Sequence, residues 1–240
     1  MAENDTPLSY TAYGDTRPLL LPHAPVEDAV VERFRKLLRI YSPSCVVADA
    51  QERSGVMSSA IKLLDRKTRF AGPALTVKLY PGDLADCLAA LSVARSGDVI
   101  VVDAAGDTET SVWGGLMAGL CQMKGVAGAV VDGSIRDTDE IRDLGFPIAS
   151  RGIVPRSTHS PYTGRLDTVE VNTPIVCGNV LVRPGDIVIA DEVGVVVVAS
   201  EQASQILRKA EALAEQEERT RARIRAGKTV EELLAEFGRL

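Results

Sequence analysis

Histidine is nearly absent from this chain: only His23 and His159 occur in 240 residues. A serine hydrolase triad would have to use one of them, and neither lies near a nucleophile-elbow pattern. His159 sits in a polar loop beside Ser157 and Ser160, where it reads as an ordinary surface residue. The four cysteines, Cys45, Cys87, Cys121 and Cys177, form no C-x-x-C pair and have no histidine at ligand spacing. That spacing suggests neither a zinc site nor a disulfide framework, and the four read as buried thiols in a reducing compartment. There is no basic excess. A net charge of −6 and a pI near 5.1 argue against nucleic acid as a partner. No G-x-G-x-x-G follows a strand, and Gly227-Lys228-Thr229 has Ala222 where a phosphate-binding loop needs its first glycine. No apolar run is long enough for a membrane span, and Met1-Ala-Glu-Asn-Asp opens without the basic and apolar regions of a leader. A soluble, cytoplasmic protein is expected.

What is present is apolar content of 45%, enough for one sizeable α/β core. Residues 1–25 are polar and proline-rich and read as an arm that orders by lying on another surface. Residues 26–199 read as the main domain and 200–240 as a helical extension. Val30, Phe34, Leu37 and Leu38 recur at helical spacing between Val26 and Ile40. Cys45–Ala48 is a short strand candidate, 60–64 is too short to classify, and 72–79 reads as a turn entering a strand. The middle then alternates: helix 84–95, strand 99–102, helix 115–124, strand 129–131, helix 138–144, strand 147–149. Such alternation implies crossover units and a largely parallel sheet. After an irregular stretch, 151–165, short runs at 169–171, 175–177, 180–182, 187–189 and 195–198 predict hairpins or a small barrel packed against the α/β part. A helical stripe, Ile206, Leu207, Ala210 and Leu213, leads into a highly charged run. Thr229 and Glu232 then form a capping box for a last helix.

Two segments carry the chemistry. In Gly125–Asp137 an apolar strand is expected to run into a glycine turn that presents Arg136 beside Asp137, a cation and a hard-metal ligand at a strand's exit. The same dipeptide also fits a solvated pair opening a helix, with Asp137 as N-cap. In Asp103–Met117 a strand ends in Asp103, Asp107 and Glu109, and a helix then opens on Gly114-Gly115. That is either a flexible loop with capping carboxylates or an anion-binding first turn whose amides point at a ligand. Both segments end successive strands, so they are expected to flank one pocket.

Five motifs together resemble the RraA-like family, which includes the class II 4-hydroxy-4-methyl-2-oxoglutarate/4-carboxy-4-hydroxy-2-oxoadipate aldolases. They are Gly72–Val77, Gly97–Asp103, Trp113–Ala118, Gly128–Asp137 and Pro184–Asp191. The resemblance implies an α/β chain with a β/β/α fold like the swivelling phosphohistidine domain, flanked by N- and C-terminal helices. It implies homotrimers or hexamers with sites between subunits. By position, Asp137 would hold Mg²⁺ or Mn²⁺ with waters, Arg136 would face the keto or enolate oxygen, and Leu116 and Met117 amides would grip a substrate carboxylate. The implied activity is a lyase on a small 2-oxo or hydroxy acid, by retro-aldol cleavage to pyruvate or oxaloacetate decarboxylation. The aldolases carry an aspartate where this chain has Gly115, and Asp107 or Glu109 is expected to supply the carboxylate instead. Two further readings stand beside it: a dehydratase or isomerase of a sugar acid, with a pocket enlarged at Gly115, and, because the family's namesake inhibits ribonuclease E, a non-catalytic regulator of that enzyme. Arg151, Arg156, His159 and Arg165 lie in the irregular stretch without assigned roles.

Overall fold

The computed structural model describes residues 19–79, 85–158 and 170–238, with backbone alone for 85–88. A parallel core is formed by β3 (Phe70–Lys78), β4 (Val99–Asp103), β6 (Gly128–Ile135) and β7 (Ile148–Ile153), adjacent in that order. Short strands extend it on both sides. β2 (Lys62–Leu63) pairs antiparallel with β7, while β8 (Glu170–Val171) pairs with β3 and carries β1 (Leu19–Leu20). β5 (Ser111–Trp113) adds alongside the exit of β6. Strands covered on both faces need apolar residues at successive positions, and all eight residues of β6 are buried.

The helices α3 (Ala85–Val93), α4 (Gly115–Met123) and α5 (Thr138–Leu144) cover one face. There Ile100, Val102, Ala129, Val131 and Ile148 meet Ala118, Cys121 and Ile141. The opposite face carries Val99, Val101 and Val130 against the hairpin of β9 (Ile175–Cys177) and β10 (Val180–Val182). β3 is shared: its first half pairs antiparallel with β11 (Ile187–Ala190), its second half parallel with β4. β12 (Val195–Val198) completes that second hairpin. Over it lie α1 (Asp28–Leu37), α2 (Pro43–Ala50) and the long α6 (Ala203–Arg225), followed by α7 (Val230–Phe237). Four of the five late runs thus form two hairpins, one of them hydrogen-bonded into the main sheet through β3, whereas β8 joins the sheet directly between β1 and β3.

Three expectations change. The strand candidate Cys45–Ala48 is helical, within α2. Pro43 stands at the helix start, and the Asp191 carboxylate accepts from Ser44 N (2.9 Å) and Ser44 Oγ (2.7 Å), so a buried anion fixes that first turn. Gly133 forms no turn, because β6 continues through it to Ile135. A Cβ there would meet Ala104 Cβ at 2.8 Å, so this glycine serves close packing. Cys45 is exposed, whereas Cys121 and Cys177 are buried as expected. The Cys87 side chain, His159, Arg165, Leu84, Val169 and residues 1–18 lie outside the described residues. The described end of the arm lies on the domain itself: Leu19–Leu20 pair with β8, and His23 Nε2 meets Asp98 Oδ2 at 2.8 Å in a buried pair. Among the described residues no helix is long and apolar enough to cross a membrane.

Candidate functional site

β5 and the end of β6 run side by side, and this places the two candidate segments together. Arg136 N donates to Trp113 O (2.9 Å), so the residue before Gly114 and the residue before Asp137 are tied by backbone. Asp137 stands at the N-cap position of α5 with φ 53°, in the left-handed region, and makes no side-chain cap on its own helix. Its Oδ2 instead accepts from Gly115 N (3.2 Å), the first amide of α4. The carboxylate therefore serves the positive end of the neighbouring helix, where a negative charge is stabilised. Arg136 Nε lies 3.5 Å from the same oxygen, and both side chains are about two-fifths exposed, 41% and 40%. Leu116 and Met117 supply the next two amides, which have no intrahelical acceptor in a first turn.

The glycine pair has a steric role. Gly114 has an extended backbone that any residue adopts, φ −141° and ψ −172°. Yet a Cβ there would sit 2.5 Å from Asp137 Oδ2 and 3.4 Å from Arg136 Cγ. A Cβ on Gly115 would overlap the carboxylate of Glu140. Glu140 lies three residues after Asp137, one turn into α5, and so shares its face. Sequence reasoning missed it. The signal was available: a helix opening at Thr138 places residue 140 beside residue 137, towards a position where the side chain has been deleted.

Asp107 and Glu109 are placed differently. The Asp107 Oδ1 accepts from Glu109 N (2.8 Å) in a local turn. Their loop is pinned to β6 by two hydrogen bonds, Gly106 N to Asp132 O (2.9 Å) and Ser134 Oγ to Thr108 O (3.0 Å). Among the described residues no hydrogen bond or ion pair links either side chain to Arg136, Asp137 or Glu140. Arg151 is drawn to Asp132 Oδ1 (2.5 Å), while Asp132 Oδ2 accepts from Gly178 N (2.6 Å). Arg156 is exposed, and its carbonyl holds Ser111 N. Burial pushes the carboxyl of Asp103 above its usual range, with nearby Asp132 adding to the rise. The Cys121 thiol behind the site is pushed up to about 12 by burial, and Cys177 is raised for the same reason, so neither is a nucleophile.

Asp137 and Glu140 offer oxygen donors only, and among the described residues no group of three or more His, Cys, Asp or Glu is placed to hold a metal. That donor set fits a hard ion such as Mg²⁺ or Mn²⁺, which takes one or two carboxylates and keeps several waters. It does not fit an all-protein cage.

A family model, RraA-like (Aldolase/RraA), matches residues 44–197. The chain belongs to the RraA-like family. A Halalkalibacterium halodurans protein with the provisional name 4-hydroxy-4-methyl-2-oxoglutarate aldolase is 38% identical over 168 residues, 70% of this chain and 78% of that protein. Among solved structures, Streptomyces coelicolor RraAS2, described as an unusual member of the RNase ES inhibitor RraA protein family, superposes with a TM-score of 0.71 at 30% identity. It covers 83% of this chain and 100% of its own. An uncharacterised protein from Pseudomonas syringae pv. tomato reaches 0.74 at 26% identity, covering 88% and 99%. The mixed α/β architecture with flanking helices is thus that of RraA-like proteins.

Proposed function

We propose that this RraA-like chain is a divalent-metal-dependent lyase that breaks a carbon–carbon bond of a small 2-oxo acid through an enolate. Retro-aldol release of pyruvate and decarboxylation of oxaloacetate share that intermediate. The reading rests on one observation: Arg136, Asp137 and Glu140 converge on the opening turn of α4, where two missing side chains make room for them. Asp137 and Glu140 would hold Mg²⁺ or Mn²⁺, which supplies Lewis-acid polarisation of the 2-oxo group. The amides of Leu116 and Met117 bind the substrate carboxylate at the positive end of α4. Arg136 places its guanidinium on the oxygen that gains charge as the bond breaks, and this favours the transition state over the bound substrate. Glu140, over Gly115, stands in for the aspartate of the aldolases as the group that orders water and moves a proton. This assigns to Glu140 the part expected of Asp107 or Glu109.

Of the two other readings, the first loses its motive and the second keeps a specific likeness. The Glu140 carboxylate takes up the space at Gly115 that motivated a sugar-acid dehydratase or isomerase. The likeness to RraAS2 favours a ribonuclease regulator, for which co-purification with the ribonuclease is the check. For assembly, Leu116, Leu120 and Met123 are 80%, 38% and 76% exposed along one stripe of α4 beside the site. That stripe supports a homotrimer or hexamer with the site between subunits.

The deciding experiment follows exchange of pyruvate methyl protons in heavy water by NMR, with Mg²⁺ or Mn²⁺ and with EDTA. Metal-dependent exchange is expected, lost in Asp137→Ala and reduced about a hundredfold or more in Glu140→Gln, a typical proton-transfer loss. Asp107→Asn and Glu109→Gln should leave it unchanged. Exchange that is absent with every metal removes the enolate reading. Exchange that falls in the Asp107 or Glu109 variants but not in Glu140→Gln removes the assignment to Glu140.

A further inference from the structure

Two serines face one another beneath the site, and both are buried. Ser111 opens β5 and Ser134 lies near the end of β6; they are register partners, 2% and 0% exposed. A hydroxyl taken out of water costs free energy unless it is hydrogen-bonded, whereas alanine or valine would occupy such a strand position without that requirement. Each hydroxyl is spent on a backbone carbonyl. Ser134 Oγ donates to Thr108 O (3.0 Å), in the loop before β5, and Ser111 Oγ donates to Trp113 O (3.0 Å), the last residue of β5.

This short strand needs the support, because its ladder is irregular. Its register against β6 shifts between Ser111 and Trp113, and Ser111 N donates to Arg156 O (2.9 Å). A bulge of this kind disrupts pairing locally and re-aims the chain that follows. Trp113 O therefore has two donors, Ser111 Oγ and, at 2.9 Å, Arg136 N. A carbonyl oxygen has two lone pairs, so both are occupied, and the planar peptide joining Trp113 to Gly114 is held in one orientation. That peptide touches both halves of the site. It carries the main chain of Arg136 on its oxygen, and it sets Gly114, where a Cβ would already lie 2.5 Å from Asp137 Oδ2. A small rotation of it changes the spacing between the opening of α4 and the Arg136–Asp137 pair.

Ser134 makes no such link. Its acceptor belongs to the loop of Asp107 and Glu109, whose side chains have no hydrogen bond or ion pair to Arg136, Asp137 or Glu140 among the described residues.

We propose that Ser111 is a positioning residue for the reaction: through the Trp113 carbonyl, its hydroxyl holds Arg136 against the opening turn of α4. This rests on the lyase reading of the site, in which Arg136 meets the oxygen that gains charge.

Ser111→Ala and Ser134→Ala form a matched test, since each removes one buried hydroxyl and one 3.0 Å hydrogen bond from facing positions. Metal-dependent exchange of pyruvate methyl protons at saturating pyruvate should fall about tenfold or more in Ser111→Ala, because displacing a reacting group by about 1 Å costs up to about a hundredfold. KM should change much less, as for an interaction made in the transition state. Ser134→Ala should stay close to the native rate. A second readout needs no turnover: in hydrogen–deuterium exchange read by mass spectrometry, the Arg136 amide should exchange faster in Ser111→Ala alone. Ser111→Cys keeps the side chain's place with a weaker donor and should show both effects to a smaller degree, so the test stands even where Ser111→Ala does not fold. Absence of pyruvate exchange in the native protein removes the lyase reading, and the Arg136 amide then decides by itself whether Ser111 holds Arg136. Equal losses of rate in the two alanine variants, or an Arg136 amide as protected in the Ser111 variants as in the native protein, overturn the proposal.

Discussion

Asp137 occupies a backbone conformation that favours glycine, with φ 53°, and it does so beside the glycines that admit its carboxylate. A non-glycine residue there carries a cost of about 1 kcal/mol or more, and Asp is among the residues that tolerate it best. The side chain is therefore kept against a local preference, as is common at functional positions. Two substitutions separate the backbone from the carboxylate. Asp137→Gly should match or exceed the native protein in stability by up to about 1 kcal/mol, because relief of strain offsets the lost contact to Gly115 N. Asp137→Ala should lose about 1 kcal/mol. Both should abolish metal-dependent exchange. Urea unfolding of the two variants reads the difference, and equal stability of Gly and Ala at 137 would show that the conformation carries no cost. This residue was legible in the sequence through its motif; Glu140 was legible only as its neighbour one turn into α5, because its placement over Gly115 depends on how α4 and α5 approach.

The elements differ in what holds their ends. α2 begins on a buried anion: Asp191 is 1% exposed and accepts from Ser44 N, Ser44 Oγ and Val193 N. α7 begins on an exposed capping box, Thr229 with Glu232. Removing the first leaves several buried donors unmet, so Asp191→Ala should cost about 3 kcal/mol or more in global stability. Removing the second, Thr229→Ala, should cost about 1 kcal/mol or less and act on α7 alone. Global unfolding midpoints and helical amide exchange distinguish these outcomes. The contrast also explains which elements the sequence revealed. The capping box is local, three residues apart, and could be read directly. The anchor of α2 lies 147 residues away in sequence, so the run Cys45–Ala48 offered only four apolar positions with no period, and strand and helix were equally admissible. The alternating middle was legible because each apolar run and each glycine break is repeated.

At the scale of the whole molecule, register sets Lys78, Asp103 and Asp132 side by side on β3, β4 and β6, and Arg151 closes the row on β7 through Asp132. Two carboxylates are adjacent, and burial followed by Asp132 raises Asp103 above the ordinary carboxylate range. The sign is then fixed. A raised folded value means the folded state holds its proton more tightly, so this group's contribution to stability falls as pH rises from the ordinary carboxylate range through the raised value. At neutral pH the charge on Asp103 is a net cost. Asp103→Asn keeps an acceptor for Ala105 N (2.9 Å in the native protein) and should raise the melting temperature at pH 7. The gain should vanish below the ordinary carboxylate range, and a melting temperature lowered by Asp103→Asn at pH 7 would contradict this account. None of this row was visible in sequence, since it exists only once four strands are in register.

Trp113 ends β5 immediately before the glycine turn, is 1% exposed, and lies stacked on Phe146 at 6.2 Å. It is also the chain's single tryptophan. The molecule therefore contains a built-in optical probe with no competing background from a second indole. Its emission, shielded from water, belongs at the short-wavelength end of the tryptophan range. Any event that moves the opening of α4 has to disturb that one signal, so filling of the site can be followed by light without a label or a coupled assay.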